Sequence, residues 1–128
     1  MIDVVEGKRQ ALDPKLKALI DEEDEADRDF FFCRACSNVI GRLSDRMEIH
    51  SSFDHFFTNP YGYEFHVGCF REALGCTIAG DRVAADTWFM GFQWRHAMCS
   101  QCSSHLGWYF DNSDTYFYGL ILDRIQHD

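Results

Sequence analysis

Four cysteines stand in two pairs, Cys33-Arg34-Ala35-Cys36 and Cys99-Ser100-Gln101-Cys102, with 62 residues of chain between the pairs. A two-residue gap lets both thiolates of a pair turn toward one ion, and two such knuckles complete an all-sulfur tetrahedron suited to zinc. The wide separation makes the ion a joint between distant parts of one domain instead of the centre of a small finger. Four thiolates fill the coordination sphere and leave no place for an activated water, so the spacing predicts one structural Zn2+ on Cys33, Cys36, Cys99 and Cys102. Disulfides, or two separate redox CxxC pairs, are the competing readings. His105, three residues past Cys102, is a rival ligand by position; with four cysteines present it reads as a hydrogen-bonded core or turn histidine. Cys69 and Cys76 have no adjacent base in sequence and read as small buried hydrophobes.

The three tryptophans, Trp88, Trp94 and Trp108, fall in a window of 21 residues that contains the second knuckle. Trp94 precedes Cys99 by five residues and Trp108 follows Cys102 by six, so a metal at the knuckle would hold the strands bearing them in register. Gly91 permits a bend that can face Trp88 and Trp94 toward each other, and Trp108 and Phe110 share a strand face by the period of two. From composition alone these rings are either ordinary core or the walls of a pocket for a flat ring.

The elements that must position these groups are strands. Of 128 residues, 46% are hydrophobic and 16% aromatic, enough for one domain with a core. Segments rich in β-type residues run over Val39–Ile40, Phe53–Thr58, Tyr63–Val67, Phe92–Arg95, Leu106–Phe110 and Thr115–Ile121. Asn59-Pro60-Tyr61-Gly62, Gly80-Asp81 and Asp111-Asn112-Ser113-Asp114 read as turns, and 70–74 is ambiguous between strand and helical turn. Residues 1–29 differ from the rest: Asp13-Pro14 opens a short amphipathic helix carrying Leu16, Leu19 and Ile20, which runs into the acidic, solvated linker from Asp21 to Asp29. The domain boundary is therefore expected at 29, with 30–128 as the folded unit.

The net charge of −9 repels phosphate backbones and anionic membrane surfaces, and no basic patch offsets it. The start of the chain is acidic where a secretory signal would be basic, and no stretch approaches the ~18 apolar residues of a membrane span. A cytoplasmic protein with reduced thiols, and with no nucleic-acid or membrane partner, is expected.

Three stretches carry a family resemblance: Asp86-Thr87-Trp88-Phe89-Met90-Gly91-Phe92-Gln93-Trp94, then Cys99-Ser100-Gln101-Cys102-Ser103-Ser104-His105-Leu106-Gly107-Trp108-Tyr109-Phe110, then Phe117-Tyr118-Gly119-Leu120. Together with the first CxxC and Asn-Pro-x-Gly, they resemble the thalidomide-binding (CULT) domain of the cereblon family, most nearly the short stand-alone bacterial cereblon-like proteins, over about residues 30–125. The resemblance implies an all-β fold of two antiparallel sheets meeting at an angle and pinned by a structural four-cysteine zinc site, the β-tent. It also implies a pocket for a glutarimide or similar cyclic imide, walled by Trp88, Trp94 and Trp108 with Phe110 at the base. The backbone at Asp86 and Thr87 and the indole N–H of Trp88 would hydrogen-bond the imide, and Asn59 and Pro60 would form the rim. Asp86 and Met90 depart from the family's usual residues, and a carboxylate at the rim disfavours anionic ligands and favours cationic ones. Phe65 is a further rim candidate.

The function this implies is a non-catalytic module that binds a small cyclic imide, a uridine-like ring or a protein C-terminus bearing a cyclic imide. A chain of this length lacks room for the further regions by which cereblon joins a ubiquitin ligase, so ligase partners do not carry over. The alternatives are an aromatic cage for methylated or quaternary ammonium groups and a methionine-sulfoxide-reductase-like enzyme. Against the enzyme, residues 103–128 contain no cysteine where such reductases carry their nucleophile.

Overall fold

Short β-prone segments interrupted by Asn, Pro and Gly favour hairpins over helices. The computed structural model, which describes residues 29–127, contains nine strands and two 3-10 turns among those residues. In chain order the strands are β1 (Phe30–Cys33), β2 (Val39–Arg42), β3 (Asp54–Thr58), β4 (Glu64–Phe70), β5 (Cys76–Val83), β6 (Gln93–Cys99), β7 (His105–Asp111), β8 (Tyr116–Ile121) and β9 (Ile125–Gln126). Leu43–Asp45 and Leu122–Arg124 form the 3-10 turns. The strands build two antiparallel sheets, one in the order β2-β1-β9 and one in the order β3-β4-β8-β7-β6-β5. The expected fold class is therefore the observed one. The helix expected around Leu16, Leu19 and Ile20, and most of the acidic run, lie outside the described residues. No helix among the described residues is long and apolar enough to cross a membrane.

Side chains alternate across the six-stranded sheet and feed two cores. One face sends Phe70, Ala97, Cys99, Leu106, Tyr118 and Leu120 toward Phe31, Cys33, Ile40 and Ile125 of the small sheet. The other face gathers Val67, Cys69, Trp108, Phe110, Phe117 and Ile121 beneath Phe89, which descends from the loop between β5 and β6. Phe89 is 1% exposed and meets Phe57, Phe110 and Phe117 edge-on at centroid distances of 5.2, 4.9 and 5.0 Å. Edge-to-face packing places ring hydrogens on neighbouring π-faces and adds to the apolar area each ring removes from water.

Two turns form as the sequence predicts, each around an asparagine. The Asn59 side-chain oxygen accepts from the N–H groups of Tyr61 and Tyr63 at 3.0 and 2.9 Å, and Asn112 accepts likewise from Asp114 and Thr115 at 2.8 and 2.9 Å. The expected Gly80-Asp81 turn is a correction: both residues lie inside β5. The register jumps from Ala79 opposite His96 to Val83 opposite Trp94, and Gly80 takes φ +89° at this bulge. A glycine in a strand that bulges looks locally like a turn because the backbone requirement is the same. Phe70 completes β4, and residues 71–74 leave the strand.

Candidate metal centre and aromatic cavity

The first knuckle closes the β1–β2 hairpin and the second closes the β6–β7 hairpin. The two are built alike. In the first, the N–H of Ser37 donates to the Cys33 carbonyl at 2.8 Å and Ser37 has φ +66°; in the second, Ser103 donates to the Cys99 carbonyl at 2.9 Å with φ +64°. Each tight turn folds the second cysteine of its pair back beside the first.

The four sulfurs lie within 4.8 Å of one another, with Cys33 Sγ 3.7 Å from Cys102 Sγ and Cys36 Sγ 3.6 Å from Cys99 Sγ. A disulfide needs about 2.05 Å, whereas a zinc–sulfur bond of about 2.3 Å in a tetrahedron separates its sulfurs by about 3.8 Å. The donor set fits a tetrahedral metal ion. The amide of Asn38, 6% exposed, points its Nδ2 at Cys99 Sγ from 3.8 Å and so orients that ligand from outside the cluster. Hydrogen bonding to Cys99 together with burial holds the Cys33 thiol well above its usual range, and the Cys33 partner holds Cys99 low. Burial pushes Cys36 up to about 11. A bound dication would favour the thiolate form of all four cysteines. Burial also pushes the thiols of Cys69 and Cys76 up to about 12, as the reading of small hydrophobes requires.

Seven of the eight sequence-predicted pocket residues line one cavity of about 500 Å³: Asn59, Pro60, Asp86, Trp88, Trp94, Trp108 and Phe110. Register explains the sheet side of it. Trp94 lies opposite Phe110 and His96 opposite Trp108, so four side chains from β6 and β7 share one face. Trp88 arrives from the β5–β6 loop; its ring stacks on Phe57 at 4.7 Å and meets Trp108 edge-on at 4.8 Å. Gly91, at φ +88°, and the bond from Phe92 N–H to the Phe89 carbonyl turn this loop back into β6. Trp94 is fixed to the same loop, since its indole N–H donates to the Ala85 carbonyl at 2.8 Å. Asp86 is exposed at the cavity with φ +56°, an uncommon conformation for a residue with a side chain. Thr87 does not line the cavity; its hydroxyl donates to the Phe89 carbonyl and braces the loop.

Sequence reasoning missed Asn38, Tyr61 and His96. Tyr61 follows Pro60 in the turn and lines the cavity, and His96 shares the face of Trp94 by the period of two, a signal that was there to be read. Phe65 and His105 also line the cavity, His105 outside the sulfur cluster. Simple alternation would put His105 on the face away from Trp108. Leu106 is an extra residue in β7, however: Ala97 pairs with Gly107 and Met98 with His105. This bulge turns Leu106 into the metal-side core and His105 to the cavity, where its ring meets Trp108 at 5.0 Å and 89°. Burial, followed by the charge of neighbouring His96, lowers the His105 pKa.

Curated relatives place this geometry in a family. The chain is 35% identical over 102 residues to the protein cereblon of Danio rerio, covering 73% of this chain and 23% of that protein. It is 33% identical over 75 residues to that of Xenopus tropicalis, covering 55% and 17%. The chain carries a cereblon-type domain. Against protein cereblon of Drosophila melanogaster the identity is 29% over 87 residues, 66% of this chain and 15% of that protein. The cereblon-type chain thus spans less than a quarter of the length of these relatives. No family model matches it. Among solved structures, the Mis18 'Yippee-like' domain shares the fold of the cereblon-type domain with a TM-score of 0.54 at 12% identity, over 78% of this chain and 94% of that one.

Proposed function

We propose that the chain is a non-catalytic binding module for cyclic imides, presented as small molecules or at a protein terminus, and that the cavity of about 500 Å³ walled by Trp88, Trp94 and Trp108 receives the imide ring. That cavity is the observation on which the reading rests. A glutarimide is flat and weakly hydrated along its methylene edge, and it carries an N–H between two carbonyls. Indole faces suit the first property, and the polar backbone of the Asp86–Trp88 loop with the Asn59-Pro60 rim suits the second. Leaving the imide N–H unpaired in such a site would cost about 1–3 kcal/mol, which is the source of discrimination. Catalysis by thiol is disfavoured because Cys69 and Cys76 are protonated, packed into cores and away from the cavity lining.

The unit that binds is residues 30–128, since both sheets and both knuckles lie there. Its four-cysteine centre holds one structural zinc ion, which joins the small sheet to the β6–β7 hairpin that carries Trp94 and Trp108. Asp86 at the cavity favours one second reading, a cage for quaternary ammonium groups.

Calorimetric titration of the zinc-loaded protein separates the two. Glutarimide is expected to bind at micromolar concentration, about −8 kcal/mol, and N-methylglutarimide at least about tenfold more weakly because its donor is gone. Equal binding of the two imides, or tighter binding of tetramethylammonium, would replace the imide reading with the cation cage.

A further inference from the structure

The sheet wall of the cavity carries two imidazoles in contact. His96 Nδ1 lies 3.3 Å from His105 Nε2, and that same His105 nitrogen lies 2.8 Å from the Gly107 carbonyl oxygen. A carbonyl only accepts, so His105 Nε2 carries its hydrogen, and His96 Nδ1 faces it with a lone pair. The two histidines come from different strands and are brought together by the Leu106 bulge.

We propose that His96 and His105 act as one proton-binding pair that sets which ligand charge the cavity accepts. The neutral pair suits neutral rings, and the singly protonated pair admits ligands bearing a carboxylate. This deepens the cyclic-imide reading and rests on it, because an imide and its ring-opened hydrolysis product differ in this property.

The chemistry follows from the tautomers. A first proton on His105 Nδ1 makes its Nε2–H a stronger donor, shared between the Gly107 carbonyl and His96 Nδ1. A second proton, on His96 Nδ1, would set two N–H groups against each other at 3.3 Å and add like charge, so the pair holds one proton. Indole rings surround that charge: Trp94 meets His96 at 5.4 Å and Trp108 meets His105 at 5.0 Å, both edge-on. Burial and the nearby Arg124 guanidinium oppose the proton on His105, so it is taken up below the ordinary histidine range.

Other charged groups belong to the elements around the pair. Arg124 donates Nη1 to the His105 carbonyl at 2.8 Å and opposes protonation, and Asp123 precedes it in the same 3-10 turn. Asp81 and Arg82 follow Gly80 on β5, whose Ala79 is the partner of His96. Asp86 lines the cavity from the loop, and Cys102 stands three residues before His105. In a chain of net charge −9, a protonated pair is the cationic feature of the cavity lining, which otherwise carries the Asp86 carboxylate.

The test uses the zinc-loaded protein, glutarimide, its ring-opened product glutaramate, and the variants His96→Gln and Asp86→Asn. Between pH 8.0 and 5.5 glutaramate is expected to bind about tenfold more tightly to the native chain, and glutarimide to change by less than about threefold. His96→Gln should abolish the gain, and Asp86→Asn should keep it. A gain that survives in His96→Gln, or disappears in Asp86→Asn, overturns the proposal. The ligand-free protein gives an independent reading through NMR titration of the imidazole signals. Coupled uptake of one proton, with a His105 titration that changes in His96→Gln, supports the pair, and an identical His105 titration in both proteins overturns it. Failure of glutarimide at every pH would instead sink the imide reading, leaving the NMR titration to decide the pair.

Discussion

One face of the six-stranded sheet is closed by sulfur, aliphatic side chains and a second sheet, while the other is held apart by aromatic rings around a cavity of about 500 Å³. The same strands supply both. On β6, Ala97 and Cys99 go one way and Trp94 and His96 the other; on β7, Leu106 divides from His105, Trp108 and Phe110. The sulfur face brings together two knuckles 62 residues apart, whose four sulfurs could hold one ion between them. The cavity face is propped open by rings too rigid and too large to collapse into the space between them, with Phe89 as a plug under the loop that bears Trp88. Under the proposed function, stability belongs mainly to the first face and selectivity to the second.

That division can be broken most severely at the metal. Cys99→Ala is expected to lose the ion and cooperative folding together, with an effect on the order of 10 kcal/mol, checked by metal analysis and thermal unfolding with and without chelator. A variant that binds no metal yet melts like the native chain would show that the small sheet docks unaided. Next in size, Phe89→Ala should cost about 3–5 kcal/mol of stability in denaturant titration while metal content stays at one ion per chain. Trp94→Ala should leave both metal content and most of the stability intact but weaken glutarimide by about 2 kcal/mol, since it removes a wall and not a plug. Retained affinity would move the ligand away from β6.

The smallest effect is in pH. His105 has a folded pKa held below its unfolded value by burial and then by His96. The folded state therefore binds fewer protons, and the native chain loses stability as pH falls from about 6.5 through the folded pKa, whereas above that window His105 contributes no pH dependence. With zinc present, His105→Gln should flatten the slope of thermal midpoint against pH between 7 and 5 relative to the native chain. An unchanged slope would assign it to other groups.

The knuckle spacing predicts the sulfur cluster because a two-residue gap lets both thiols of each pair turn toward one point, and a period of two in β6 and β7 predicts rings of the sheet wall. Strand β1 was harder to see: Phe30-Phe31-Phe32-Cys33 is a continuous apolar run abutting an acidic segment, with no alternation to mark it. Strand β5 was hidden by its own bulge at Gly80, and β9 is two residues long. His105 was misplaced by any strict alternation because the residue that shifts it, Leu106, is an ordinary strand former with no local mark. Asn38 gave no signal beyond standing two residues after Cys36, although a buried amide beside a thiolate is what a metal knuckle needs around it.

The Leu106 bulge also makes the hairpin between Cys102 and Trp108 a place where the chain keeps count. One residue removed at position 106 would restore plain alternation with His105 still on the Trp108 face, and would take from the metal-side core the leucine that the bulge supplies. Insertions at the Asn112 turn, where Asn112 is held by its own local bonds and neither core begins, change no such parity. Length variation among proteins built on this plan should therefore collect at that turn and avoid the five residues between Cys102 and Trp108, because a shift of phase in one strand would be felt on both sides of the sheet at once.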